Sequence, residues 1–132
     1  MLKFMIDTDT AIYTLKNRPA NVRAMFKKHS GEMCLSTVSL GELIFGAEKS
    51  ARVEHNLTVI EGFAARLKVE PFDARAAMHF GQLRAELTKS GKLIGPFDMM
   101  IAGHARAMGL ILVSNNQREF DRVPGLRVEN WA

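Results

Sequence analysis

Apolar residues fall along this chain in two patterns that alternate, short runs and helical stripes. Leu2 to Ile6 (LKFMI) is a brief run of the kind that makes a buried strand, and the polar DTDT after it is where such a strand would stop and turn. Pro19 suits a helix start, with Val22, Met25 and Phe26 as its stripe before Gly31, and MCLS (33–36) predicts a second strand. Ser36 or Thr37 can cap a third helix reaching about Ser50, in which Ser39 and Glu42 have the spacing of a capping box.

Further stripes predict helices over 52–66 (Leu57, Ile60, Phe63, Ala64) and 73–87 (Ala76, Ala77, Phe80, Leu83, Leu87), with a brief extended piece at 67–69 between them. Pro96 opens a helix that runs to about Met108 and ends at Gly109. LILVS (110–114) is the most strand-like run, NNQREFDRVPG is a turn-rich connection, and LRVEN (126–130) supplies a last strand. The order is β, α, α, β, α, α, α, α, β, short α, β, which predicts an α/β fold with helices on both faces of a mainly parallel sheet. With no internal repeat, low-complexity segment or linker, residues 1–132 read as one domain.

Composition narrows the function classes. A hydrophobic content of 47% supports a real core. No window of 18 apolar residues exists, and MLKFMIDTDT lacks the layout of a signal peptide, so the expected location is cytoplasmic, with no membrane partner. Cys34 is the single cysteine, which excludes an internal disulfide or a cysteine-based zinc cage; it reads as strand packing. A net charge of +4 favours polyanionic partners. The densest basic stretch holds Lys16, Arg18, Arg23, Lys27 and Lys28, which read as a solvated helical face, with Lys16, Arg18, Arg23 and Lys27 as the alternative contacts to nucleic-acid phosphates.

Three carboxylates stand where a structural reading explains them incompletely. Asp7 follows the first strand, where ligands gather in open α/β sheets. It is either a site residue or an Asx-turn residue with Asp9, or else Thr8, capping the next helix. Glu42 is the sole charge in VSLGELIFGA, so it either completes the capping box with Ser39 or faces other protein atoms. Asp98, in GPFDMM, shares helical spacing with Ile101, Ala102 and Ala105 and so points inward. An unpaired buried carboxylate costs several kcal/mol, more than the 0.3 to 1 kcal/mol or so that a helix N-terminus contributes. No lysine or arginine adjoins Asp7, Glu42 or Asp98 in sequence, and a hard divalent cation, Mg²⁺ or Mn²⁺, would relieve their repulsion. Asp98 then reads as a metal ligand. The histidines His29, His55, His79 and His104 show no ligand or general-base spacing.

MIDTDTAIY, STVSLGELIFGAEKS and GPFDMMIAGHARAMGLILVSNNQREFDRVPGLRVENW together resemble the PIN-domain ribonucleases, and within them the VapC toxins of bacterial toxin–antitoxin pairs. The resemblance runs the whole length. It implies an RNase H-like three-layer α/β/α sandwich, Mg²⁺ with Mn²⁺ as a substitute, and endoribonucleolytic hydrolysis without a nucleophilic side chain. The family's acidic positions would fall on Asp7, Glu42 and Asp98. The fourth position, often Asp, falls on Asn116, a neutral amide, and Glu119 beside it either supplies the missing charge or is a solvated surface residue. A second departure is Asp9, where such relatives commonly carry Asn. Thr8 and Ser114 are expected to orient the ligands by hydrogen bonds.

The resemblance further implies a structured RNA substrate, with transfer RNA and the anticodon loop of initiator tRNA as the class, inhibition of translation, and a VapB-type antitoxin that inserts a basic segment into the acidic site. A toxin homodimer within a larger complex would meet operator DNA only through the antitoxin. Two alternatives stand beside it. One is a catalytically silent PIN-fold binding module whose carboxylates anchor a partner's arginines. The other, a phosphoacceptor receiver domain, fits poorly because it needs a lysine after its last strand.

Overall fold

The computed structural model describes residues 1–17 and 19–132. Arg18, one of the basic candidates, lies outside the described residues. Strands β1 (Phe4–Ile6), β2 (Met33–Ser36), β3 (Lys68–Glu70), β4 (Ile111–Val113) and β5 (Arg127–Glu129) form one sheet in the order β3-β2-β1-β4-β5. Every described pairing is parallel. The chain leaves β1 toward β2 and β3, then returns to lay β4 on the other side of β1. Strand order therefore reverses between β1 and β4, where an open α/β sheet opens a crevice at its carboxyl edge.

Parallel neighbours need crossovers, and the helices supply them: α1 (Thr8–Asn17), α2 (Ala20–Lys28), α3 (Thr37–Glu48), α4 (Val53–Ala64), α5 (Ala74–Ser90), α6 (Pro96–Met108) and the single turn α7 (Gln117–Phe120). Side-chain alternation along the strands splits the core in two. Met5, Cys34 and Leu112 face one way, against Leu83 and Leu87 of α5 and Ile101, Ala102 and Ala105 of α6. Phe4, Ile6, Met33, Leu35 and Val113 face the other, against Ala11, Val22, Leu43 and Ile60 from α1 to α4. This is the expected α/β/α sandwich, with its central strands buried on both faces.

The extended piece expected at 67–69 is a true edge strand. β3 pairs with β2 from Cys34↔Lys68 to Ser36↔Glu70, making five strands where the sequence pattern suggested four. Two capping assignments also change. Asp7, not Asp9, caps α1, because its Oδ1 accepts the backbone N–H of Thr10 at 2.8 Å. Ser39 and Glu42 do not form a capping box: α3 is capped by Ser36, whose Oγ accepts from the Val38 amide at 3.1 Å. That leaves Ser39 in the first turn of the helix, with a buried Oγ that has no partner among the described residues.

His104 is structural, as its spacing suggested. It is buried and bonds Ser36 Oγ through Nδ1 at 2.9 Å, and burial lowers its pKa. Burial pushes the Cys34 thiol up to about 12, which leaves it inert packing.

α6, which carries Asp98, is held against α5 by a close backbone approach. A Cβ on Gly103 would stand 2.7 Å from the Phe80 nitrogen and 2.9 Å from its Cα, so only glycine fits. At Gly109 the backbone turns left-handed with φ 67°, which ends α6 and releases β4. Gly103→Ala should lower stability by about 1–3 kcal/mol through overpacking, read as a shift in urea midpoint. Gly62→Ala, in open space within α4, should raise it by about 0.5–1 kcal/mol. Equal effects at the two positions would contradict the packing described.

Candidate active site

The carboxyl edge of β1 and β4 gathers the acidic side chains. Asp7 follows β1 directly and is buried, with both oxygens occupied: Oδ1 by the Thr10 amide, Oδ2 by the Ser114 hydroxyl, which donates at 2.6 Å. Ser114, just past β4, also accepts the Asn116 amide at 2.9 Å. Thr10 Oγ1 accepts the Asn115 amide at 3.0 Å, tying α1 to the loop after β4. Asp7 thus joins the two strands of the switch point and cannot swing away. The Asx reading and the site reading of this residue describe one geometry.

From α3, half-buried Glu42 reaches across to α1, where the Thr8 hydroxyl donates to its Oε1 at 2.6 Å. This bond takes the place of the expected bond to Ser39. From the loop after β4, the Asn116 amide nitrogen donates to Glu119 Oε2 at 2.7 Å, leaving the Asn116 carbonyl oxygen as that side chain's free acceptor. Glu119 Oε1 receives the Gly95 N–H at 3.4 Å. Glu119, part-buried, is thus tied both to Asn116 and to the loop that opens α6. Its signal lay in the NNQRE spacing, which puts the acid one turn after Asn116.

Asp98 stands half-buried in the first turn of α6, with one carboxylate oxygen beside Gly95, the residue whose N–H meets Glu119. Its pKa is pushed from 3.8 up to about 7, first by burial and then by the negative charges of Glu119, Asp9, Asp7 and Glu42. Burial also raises the Asp7 pKa, against the pull of its hydrogen bonds to Ser114 and Thr10. Asp9 faces this cluster from the exposed side of α1. Among the described residues the ion pairs are Lys3–Glu32, His29–Glu32 and Lys68–Glu70, so none of the five acids has a cationic partner there.

Such a set of hard oxygens, mutually repelling and uncompensated, suits a divalent cation of the magnesium class. Among the described residues no three His, Cys, Asp or Glu side chains form a ready-made metal cage. Beside the acids opens a hollow of about 1120 Å³, walled by Thr8, Asp9, Glu42, Phe97 and Lys16 among others. Of the basic candidates, Lys16 borders this hollow, whereas Arg23 and Lys27 line a separate one.

Residues 4–126 match the PIN domain model. The chain belongs to the PIN-domain family. Relatives 30% or more identical to it include VapC ribonucleases. The tRNA(fMet)-specific endonuclease VapC of Shigella flexneri is 60% identical over the full length of both chains. The structure of DNA-bound VapBC from Salmonella typhimurium superposes at TM-score 0.98 with 54% identity, covering all of both chains. VapBC2 from Rickettsia felis, bound to a promoter DNA fragment, gives TM-score 0.95 at 32% identity, covering 99% of this chain and all of that one. In this PIN domain the edge where β1 meets β4 is therefore the place to look for chemistry, and no helix is long and apolar enough to cross a membrane among the described residues.

The crowding of charge fixes a pH dependence. Because the folded-state pKa of Asp98 lies above its unfolded value of 3.8, the fold binds that proton more tightly than the open chain does. The stability it contributes is full below the unfolded value and is lost as pH rises through about 7. In chelator, Asp98→Asn should therefore melt above wild type at pH 8, with the gap closing toward pH 4. Solvent screening holds the gain to about 1 kcal/mol, or a few degrees in Tm. A gap that does not vary with pH would contradict the repulsion at Asp98.

Proposed function

We propose that this chain is an endoribonuclease toxin of the VapC type that hydrolyses phosphodiester bonds of transfer RNA, with the anticodon loop of initiator tRNA as its substrate class. The reading is carried by the convergence of five uncompensated acids at the sheet's switch point. The end-to-end similarity to a relative named as a tRNA(fMet)-specific endonuclease supports the substrate. Asp7, Glu42, Asp98 and Asn116 would hold Mg²⁺, or Mn²⁺ in its place, and Glu119 supplies the charge that the Asn116 amide lacks. When bound, the cation supplies Lewis acidity toward the scissile phosphate and a water of lowered pKa.

The residues divide the remaining work. Asp7 presents a fixed, ionisable edge because Ser114 and Thr10 hold both its oxygens. Thr8 restrains Glu42, and Asn116 restrains Glu119, so each carboxylate keeps its orientation before substrate arrives. Asp98, partly protonated near neutrality, must release its proton before it can coordinate, so cation affinity should rise with pH through about 7. No side-chain nucleophile is required, since water attacks the phosphate.

A toxin with an acidic cleft can be silenced by a partner's arginine occupying the place of the cation, which suits a VapB-type antitoxin. The Salmonella relative is a VapBC complex bound to DNA, which supports an assembly where this chain, as a homodimer, meets operator DNA through the antitoxin. Such a toxin would act in the cytoplasm, where cutting initiator tRNA arrests translation.

Purified protein incubated with total tRNA and Mg²⁺ should cut it, and chelator should stop the cutting. Asp7→Asn and Asp98→Asn should each lower the rate by at least about a hundredfold while the fold survives. Wild-type rates in both variants would overturn the site, and partner association without cleavage at any metal concentration would favour a silent binding module. Ser114→Ala and Asn116→Ala, which remove only orienting hydrogen bonds and a neutral oxygen, should weaken cation affinity by about 10–100-fold, measurable by calorimetry with Mn²⁺.

A further inference from the structure

A second hollow of about 820 Å³ lies where α1, α2 and the end of α4 meet. Arg23 and Lys27 from α2 and Arg66 just beyond α4 line it, together with apolar side chains such as Phe26, Met33 and Phe63, and its wall contains no carboxylate among the described residues. None of these three cations enters an ion pair among the described residues. A solvated basic face normally carries acids among its bases. Here three cations converge on a concave, acid-free surface.

The position of this hollow matters as much as its charge. It shares Leu15 and Val59 with the hollow beside the carboxylates, so the two lie side by side, divided by those two side chains near the end of α1. The ten residues of α1 rise only about 15 Å, a span that one polynucleotide strand bridges. At one end of this track the phosphate meets acids that need a cation. At the other end it meets guanidinium and ammonium donors, the groups that bind phosphate oxygens directly.

We propose that Arg23, Lys27 and Arg66 form a phosphate-binding exosite that seats the RNA backbone away from the scissile bond. The proposal rests on the ribonuclease reading above and adds to it the path of the substrate. The exosite is a positioning surface. It supplies attraction that the acidic centre cannot, and it leaves the bond-breaking groups untouched.

The test uses the full chain with Arg23→Gln, Lys27→Gln and Arg66→Gln combined, all three residues being exposed. In an Asp98→Asn background, binding of fluorescently labelled tRNA in Mg²⁺ is measured across a salt series. Each single-strand phosphate contact adds about 0.7 to the slope of log affinity against log salt, so the triple variant should flatten that slope by about 2. With Asp98 intact, the triple variant should show a raised KM on tRNA. Its cleavage of a short oligoribonucleotide confined to the scissile region should match that of wild type, which also verifies its fold.

Unchanged tRNA affinity and slope would overturn the exosite. So would an equal loss on the short and long substrates, or weakened binding of an acidic protein segment with tRNA binding intact. Failure of the wild-type chain to cut either RNA would remove the ribonuclease reading itself, a result distinct from an active enzyme indifferent to the three substitutions.

Discussion

Repulsion among carboxylates at one edge of the sheet is the constraint around which this structure is arranged. Asp98 sits among Asp7, Asp9, Glu42 and Glu119, and its proton is held to about pH 7 because burial and four negative neighbours oppose ionisation. A chain selected only for stability would place a lysine there or remove the charges. Instead Asp7, Glu42 and Glu119 are each fixed by short neutral donors, the hydroxyls of Thr8 and Ser114 or the amides of Thr10 and Asn116. Neutral donors orient an anion without cancelling its charge, so the field stays available for a cation from solution. The stability lost at that edge is offset by the two apolar layers behind it.

The topology explains why the acids meet despite their separation in sequence. Parallel strands end on the same edge, so the residues after β1 and β4 become neighbours although 107 positions separate Asp7 from Ser114. Helices that follow parallel strands begin at that edge too, and α1 presents Thr8 from its first turn and α3 presents Glu42 from its second. α6 arrives differently, as the second helix of the tightly packed α5–α6 pair. The Gly103 contact with Phe80 therefore sets where Asp98 lies. A packing detail near the middle of a helix thus positions a charge at its start.

What could be read from the sequence follows from how local each signal was. Asp98 and Glu42 stood out because each is a lone charge within an apolar helical stretch, a pattern that solvation does not explain. α6 was legible at both ends because Pro96 and Gly109 act through their own backbone geometry. β3 was hard to see, since a three-residue, partly exposed edge strand becomes a strand only through its pairing with β2. The capping of α1 by Asp7 was hidden by competition from Asp9 and Thr8, all polar and adjacent. The tie between Glu119 and Gly95, 24 residues away, had no local signal. In most of these cases the missing information was a tertiary contact.

Charge is distributed so that attraction and chemistry occupy different places. The chain carries a formal net charge of +4, yet the edge where chemistry is expected is locally negative and, without a cation, repels a polyanion. On the proposed reading, attraction toward RNA then comes from basic groups elsewhere, and passage of a phosphate into the cleft would depend on a divalent ion neutralising the acids. On that same reading, separating these two tasks would make capture of RNA sensitive to salt and cleavage sensitive to metal, so the two could be regulated apart. A partner that covers the acids with its own arginine would block the second task while leaving the first set of cations in place, so one contact at the acidic edge is enough to hold such a toxin in check.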